Sequence, residues 1–393
     1  MLIKSTEESK WLANYENNLL FRLAVAYFEA RRGGKRGTYD EHRFEVYDWE
    51  NLVILRDAIL NKTYHPSRST AHIIFNPVIR EIFAAPFIDR VAQHVVYDSV
   101  YDFCDRQFIY DSYSCREGKG TDFGIRRLQH HINSVYNNGA TKVWVIKLDV
   151  QGYFVNIPRV ELLEIALDFL DRQYEGNSES EDYEVLKFLW REIIMDDPVA
   201  GAKLKGWPDD WKDLPKTKSL IWQMVGIGIV IGNLTSQLLS NIYLNLLDRF
   251  LTMDLKWKHY GRYVDDFFGV FSDEEVERAI EQIPLIADFL ARLGLKLHPR
   301  KIWIQPAERG VPFLGAVVRP GRRVYPGERL IKNSRRAFSE TALGVRDVES
   351  VVSYIGHMKH MNSRKLVLEM MMKHGKRMNG DDFLEIMRVL EKR

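Results

Sequence analysis

Two stretches of this sequence place acids where a buried strand would ordinarily carry none. Residues 259–271 (HYGRYVDDFFGVF) are aromatic or β-branched on both sides of the adjacent pair Asp265-Asp266. Two short strands around a polar pair make the pattern of a tight hairpin. Residues 142–150 (KVWVIKLDV) form a second β-branched run, with Asp149 near its end. Segments of helical period lie between and around these strands, so the expected class is α+β with an antiparallel centre.

Along the rest of the chain, residues 1–60 read as helical, with Leu12, Tyr15, Leu19, Leu20, Leu23 and Ala24 at three- and four-residue steps. Residues 71–86 suggest two strands around Asn76-Pro77, followed by a helix over 87–100. Residues 159–196 read as helix broken by an exposed acidic loop at 175–184 (EGNSESEDYE), and 206–219 as irregular. Residues 235–255 predict one amphipathic helix with Thr235 or Ser236 as its cap. Helix with a kink or restart at Pro284 is expected over 274–293, a single strand over 313–318, and basic helices thereafter.

Composition narrows the class. A hydrophobic fraction of 46% and a charged fraction of 28% describe an ordinary globular chain. The net charge of +2 is unevenly spread: residues 316–393 hold 17 Lys and Arg against 9 Asp and Glu. A basic C-terminal segment suits a polyanion. Cys104 and Cys115 are too few for a disulfide scaffold or a four-cysteine zinc site. The apolar run 220–234 is too short and too rich in glycine to span a membrane, and residues 1–10 do not read as a secretion signal. A cytoplasmic location and no membrane partner are expected.

The acids carry the chemistry. Carboxylates brought within about 4 Å repel by roughly 4 kcal/mol per pair at an effective dielectric near 20. Such a cluster calls for cations, and hard oxygen donors favour Mg²⁺, with Mn²⁺ as a substitute. Two such ions activate a hydroxyl and stabilise a leaving pyrophosphate, which is the chemistry of nucleotide addition.

Five segments, in order over residues 80–360, resemble the motifs of prokaryotic reverse transcriptases. They are KLDVQGYF (147–154), GIVIGNLTSQLLSNIYL (228–244), YVDD (263–266), LGLKLHPRK (293–301) and FLG (313–315). The resemblance implies a right-hand polymerase architecture of fingers, palm with an antiparallel sheet, and helical thumb. Its parts would be an N-terminal helical region and fingers over 1–140, a palm over 141–315 with an insertion near 171–219, and a basic thumb over 316–393. It implies catalytic Asp149, Asp265 and Asp266, with the Val150 carbonyl assisting at the metals. It also implies dNTP substrates, with Phe154 beneath the sugar, Arg80 at the triphosphate, Arg116 and Lys119 near template or nucleotide, and Lys301 as a proton donor to pyrophosphate. Arg335, Arg336, Lys359, Arg364 and Lys365 would grip an RNA–DNA hybrid product. His357 and His360 would share a helix face, but their spacing is not that of a zinc-protease helix; packing or phosphate contact is expected of them.

The second motif departs from the usual Pro-Gln-Gly by reading Val230-Ile231-Gly232. Ile231, with Ser236-Gln237 downstream, resembles the enzymes of diversity-generating retroelements and related defence-associated bacterial enzymes. Ile231, Gly232 and Gln237 are then expected near the nucleotide, with relaxed base selection. No segment resembling RNase H or a cysteine-rich nuclease follows the thumb, so a retroviral or endonuclease-bearing type is not expected. The implied partners are a structured non-coding RNA template and an accessory protein or second copy. The competing expectation is a catalytically idle RNA-binding scaffold that keeps the fold; a third, an RNA polymerase, is opposed by Phe154.

Overall fold

A computed structural model describes residues 18–32, 36–75 and 78–391. Leu12, Tyr15 and the Asn76-Pro77 turn lie outside these residues. The chain divides into two compact units that interleave in sequence. The first comprises Met1–Ile109, Val150–Arg249 and Ala287–Leu297; the second comprises Tyr110–Asp149, Phe250–Ile286 and His298–Arg393. Among the described residues the strands are β1 (Thr70–Ile74), β2 (Arg80–Ala84), β3 (Val143–Asp149), β4 (Lys203–Leu204), β5 (Tyr260–Tyr263), β6 (Asp266–Ser272), β7 (Trp303–Pro306), β8 (Val311–Phe313), β9 (Ala316–Val318) and β10 (Tyr325–Pro326). Helices and antiparallel sheets mix as expected of an α+β chain.

In the first unit the long helix Phe87–Gln107 packs against Leu19–Ala30 and Leu234–Arg249. Leu23, Val91, Val95 and Ile242 lie buried in this unit, where the hydrophobic gain offsets the cost of ordering the helices. The side chain of Asn18 caps the first of these helices by accepting from Leu20 N–H at 2.9 Å. Arg22 on that helix pairs with Asp182. The acidic break is shorter than expected. Ser180 caps the helix Glu181–Met195 by accepting from Tyr183 N–H, so Glu181, Asp182 and Glu184 lie in a first turn, where the helix dipole favours acids. Thr235 and Ser236 are not caps: the helix begins at Leu234, both side chains are buried, and the α-helix stops at Arg249, with Phe250–Asp254 wound as a π-helix. β1 and β2 pair antiparallel as expected, and β4 adds to β1 in parallel.

In the second unit the sheet runs β5-β6-β3-β7, antiparallel throughout. Helix Thr121–Tyr136 covers it, burying Ile125, Leu128 and Ile132 in a core shared with Val143, Val145, Phe268 and Val270. The 313–318 segment is a hairpin rather than one strand: β8 and β9 meet at Leu314-Gly315, both with positive φ, the backbone of a primed turn. His357 approaches this turn with Nε2 3.0 Å from the Leu314 carbonyl oxygen. Helices Glu328–Thr341, Val348–Met358, Arg364–His374 and Gly380–Glu391 contribute Phe338, Val351, Ile355, Val367 and Ile386 to the same core. No helix among the described residues is long and apolar enough to cross a membrane.

Close packing beneath the β5–β6 hairpin makes it rigid. A Cβ on Gly261 would lie 2.2 Å from the Tyr113 hydroxyl and 2.6 Å from Phe268 Cζ. Gly261→Ala is therefore expected to cost about 1–3 kcal/mol in chemical denaturation; an unchanged midpoint would contradict this packing. Burial holds the His259 imidazole below the ordinary histidine value, and His131, whose Nδ1 lies 3.3 Å from His259 Nδ1, adds to the effect. A depressed histidine contributes stability that is complete above about pH 6.5 and lost as pH falls through the folded value. His259→Gln should flatten the acid limb of the stability–pH curve below about pH 6.5.

Candidate active site

The acids expected at strand ends come together in the second unit through sheet register. Asp149, the last residue of β3, stands directly opposite Asp266, the first residue of β6. Opposed residues on antiparallel strands put their side chains on one face, where like charges destabilise. Asp265 occupies the two-residue turn between β5 and β6, whose flanking pair is Tyr263 and Asp266. The other turn residue, Val264, has φ of 56°. For a β-branched side chain this backbone is strained, and it persists only where the surroundings enforce it. The fully buried Arg262 does so, donating from one guanidinium nitrogen to the Val264 carbonyl at 2.9 Å and from another to Ser112 Oγ at 3.1 Å.

Two ammonium groups answer the acids. Lys301 Nζ lies 2.7 Å from Asp149 Oδ2, and Lys147 Nζ lies 3.6 Å from Asp266 Oδ2. Lys147 also donates to the Pro312 carbonyl at 2.8 Å. Even so, burial pushes the Asp265 carboxyl up to about 6, and the neighbouring Asp149 charge adds to the shift. Burial likewise raises Asp266, with Lys147 opposing. The cluster is thus short of positive charge. Its donors are carboxylate oxygens alone, a set that fits Mg²⁺ or Mn²⁺.

The closest set of three metal-capable side chains among the described residues lies elsewhere. Ligand atoms of Glu41, His42 and Glu45 sit within 4.8 Å of one another, a spacing the three aspartates do not reach. The two glutamates of that trio are already engaged by Arg31, which pairs with Glu41 and Glu45 at 2.6 Å each.

Other expected site residues divide between the units. In the second, Arg116 donates to the Ser112 carbonyl at 3.1 Å, and Lys119 folds back to the Tyr110 carbonyl at 2.6 Å with its ammonium over the Tyr110 ring. Arg335, Arg336, Lys359, Arg364 and Lys365 are exposed, and Arg336 pairs with Glu340 at 2.5 Å. In the first unit the Phe154 carbonyl accepts from Ile229 N–H at 2.8 Å, tying the short helix Tyr153–Asn156 to the loop that carries Ile231 and Gly232. Gly232 has φ of 109° and lies against Ile82 of β2, the strand that begins with exposed Arg80. Gln237 is exposed on its helix. At Val150 the two flanking backbone bonds use Gln151 N–H to Lys296 O and His298 N–H to Asp149 O, both 2.8 Å, so neither engages the Val150 carbonyl.

Sequence reasoning missed Lys147, Arg262 and Glu81. Lys147 had a legible signal, since it stands two residues before Asp149 and a strand puts such a pair on one face. Arg262 and Glu81 had none, because their roles are fixed by partners far along the chain.

Residues 78–318, more than half of the chain, match the profile of the family described as reverse transcriptase (RNA-dependent DNA polymerase). A search of curated protein sequences gives no match. Among solved structures, the apo telomerase of Candida tropicalis aligns at 12% identity and a TM-score of 0.47, over 79% of this chain and 58% of the telomerase chain. This chain thus spans little more than half of that protein's length. The profile match spans both acid-bearing strands and the turn that carries Asp265, and the chain belongs to the reverse transcriptase (RNA-dependent DNA polymerase) family.

Proposed function

We propose that the protein is an RNA-directed DNA polymerase that makes cDNA by nucleotidyl transfer at Asp149, Asp265 and Asp266. The observation that carries this is the opposition of Asp149 and Asp266 beside a strained turn bearing Asp265, in a chain of this family. An idle RNA-binding scaffold gains nothing from half-buried carboxylates that repel one another, so the acids favour catalysis.

In this reading the three carboxylates, with the Val150 carbonyl, hold Mg²⁺ or Mn²⁺. Ions held there would supply charge neutralisation for the attacking 3′-oxygen and the leaving pyrophosphate. Lys301, in an ion pair with Asp149, is placed to hand a proton to pyrophosphate. Arg80, Arg116 and Lys119 bind phosphate oxygens, for which guanidinium forks are suited. Phe154 excludes the 2′-hydroxyl of ribonucleotides. Ile231, Gly232 and Gln237 line the nascent base pair. The exposed cations of residues 316–393 grip the hybrid as a thumb, with fingers and palm over 1–140 and 141–315.

The biological role in this reading is bacterial and cytoplasmic: copying a dedicated non-coding RNA in antiphage defence or in a diversity-generating retroelement. Ile231 in place of glutamine supports this, since exchanging an amide for an apolar group removes a hydrogen bond at the base pair. An accessory protein or a second copy completes the assembly.

Purified protein with its co-bound RNA, given labelled dNTPs and Mg²⁺, should yield labelled cDNA. Asp265→Ala should lower the yield by about 10³-fold or more, equivalent to about 4 kcal/mol of barrier; undiminished synthesis would end the proposal. Asp265→Asn should also lack synthesis yet be more stable than the native chain without divalent cations, by about 1–3 kcal/mol in chemical denaturation, because it removes a half-buried like charge. Phe154→Ala should raise ribonucleotide use relative to dNTP by about ten-fold or more. Ile231→Gln should narrow the error spectrum; identical misincorporation would remove the link between Ile231 and relaxed selection.

A further inference from the structure

The segment 203–225 in the first unit takes no part in the chemistry above, yet it is firmly built in. β4 joins it to the edge of β1 through Lys203 N–H to Ser69 O at 2.9 Å and Lys205 N–H to Ala71 O at 2.8 Å. Glu81, buried on β2 beside Arg80, gathers it further. One Glu81 oxygen accepts from Trp211 Nε1 at 2.7 Å and Ser219 Oγ at 2.8 Å, and the other accepts from Leu220 N–H at 2.6 Å. Past these bonds the chain is tied down again, by Gly226 O accepting from Arg159 N–H at 2.9 Å and Gly228 N–H donating to Ile157 O at 2.7 Å.

Between these anchors residues 221–225 project into solvent. Trp222 is 59% exposed and Val225 85% exposed. A buried carboxylate with three donors would be a costly way to hold a loop that did nothing. The exposed indole also carries a cation, with Lys216 Nζ 4.4 Å from its ring centroid. Lys203, Lys205, Lys212 and Lys218 are exposed along the same segment. The 30 residues before it, 171–200, carry 9 acids against 3 Lys and Arg, so positive charge rises abruptly here. An exposed aromatic ring among lysines matches what a single strand of nucleic acid presents, namely a base face and flanking phosphates. Asp209, Asp210 and Asp213 lie in the same segment, and its five lysines still leave it a net charge of +2.

We infer that Trp222 and Lys216 form a stacking platform for single-stranded RNA. The assignment of that strand as template rests on the polymerase reading above. Trp222 stacks a base, and Lys216 and its neighbours meet the adjoining phosphates. The platform is positioned by Glu81 on one side and by the Phe154-bearing segment on the other. Its preference is for strand state over sequence, since every base offers a π-face.

The test is equilibrium binding of the full chain to a fluorescein-labelled single-stranded oligo(U) RNA and to a matched RNA–DNA hybrid, read by anisotropy at fixed salt. Trp222→Ala should weaken oligo(U) binding about ten-fold or more, with Trp222→Phe within about three-fold of native and hybrid affinity unchanged. Lys216→Ala should weaken oligo(U) binding and lower its salt dependence. Thermal melting reports folding, and Trp222→Phe carries the comparison should the alanine variant melt early. Native oligo(U) affinity in Trp222→Ala would overturn the platform, as would equal losses on oligo(U) and hybrid. So would loss of self-association on sedimentation with RNA affinity intact, which would make the surface a protein interface. The polymerase reading fails separately: a native chain that binds oligo(U) through Trp222 but incorporates no dNTP keeps the platform and loses the enzyme.

Discussion

The second unit is organised around a repulsion that its sheet cannot avoid. Antiparallel register sets Asp149 against Asp266 at the point where β3 and β6 end, and the turn adds Asp265. Left alone, such a group would protonate or splay apart. Lys301 and Lys147 pair with Asp149 and Asp266, while burial, with the neighbouring carboxylates adding to it, raises both Asp265 and Asp266. Interiors rarely keep charge of one sign in excess unless something else is to enter with the opposite sign. The fold thus stores at these strand ends a demand for cations, and its other features serve to keep that demand from relaxing.

Rigidity comes from beneath. Phe268, two residues into β6 from Asp266, packs on Phe313 with ring centroids 5.2 Å apart, and Gly261 opposite it leaves room for nothing larger. Arg262 holds the turn by its backbone, and Asp111 lies in a further, half-buried ionic group below. Burial alone would raise the Asp111 carboxyl, but hydrogen bonds and charge from His131 and Arg127 hold it well below the usual carboxylate range. Arg127 grips it through Nε at 2.6 Å. A turn with a strained valine is therefore underlain by aromatic packing and a charged network, and both must yield before Asp265 can move.

Much of this was legible in the chain. The two strands, their acids and the hairpin follow from alternation and turn chemistry, because a period of two admits few alternatives once aromatic and β-branched residues dominate. The helix start at Leu234 was misread because Thr235 and Ser236 look like caps, yet both bury their hydroxyls inside the first turn. The 313–318 run was misread because Leu314 holds a left-handed backbone that leucine seldom adopts, leaving Gly315 as the one local sign of a turn. Glu81 could not be found at all. Its meaning comes from Trp211, Ser219 and Leu220, more than a hundred residues away, and no local pattern encodes a partner at that range.

Glu81 also shows how a segment without a motif can be structural and still face outward. A carboxylate that accepts three hydrogen bonds in a buried site fixes each of its donors in place. Here those donors are spread over residues 211–220, so one side chain on β2 sets the path of a stretch that composition alone leaves irregular. Leu220 then packs with Ala71, Phe83, Val155 and Val230, joining the β1–β2 sheet to the Phe154 segment and the loop before Gly232. Removing the Glu81 carboxylate would leave an indole N–H, a hydroxyl and a backbone N–H unsatisfied together. Such a loss would be felt at Phe154 and Gly232 as well as at Trp222, because the three share one small apolar cluster as their support.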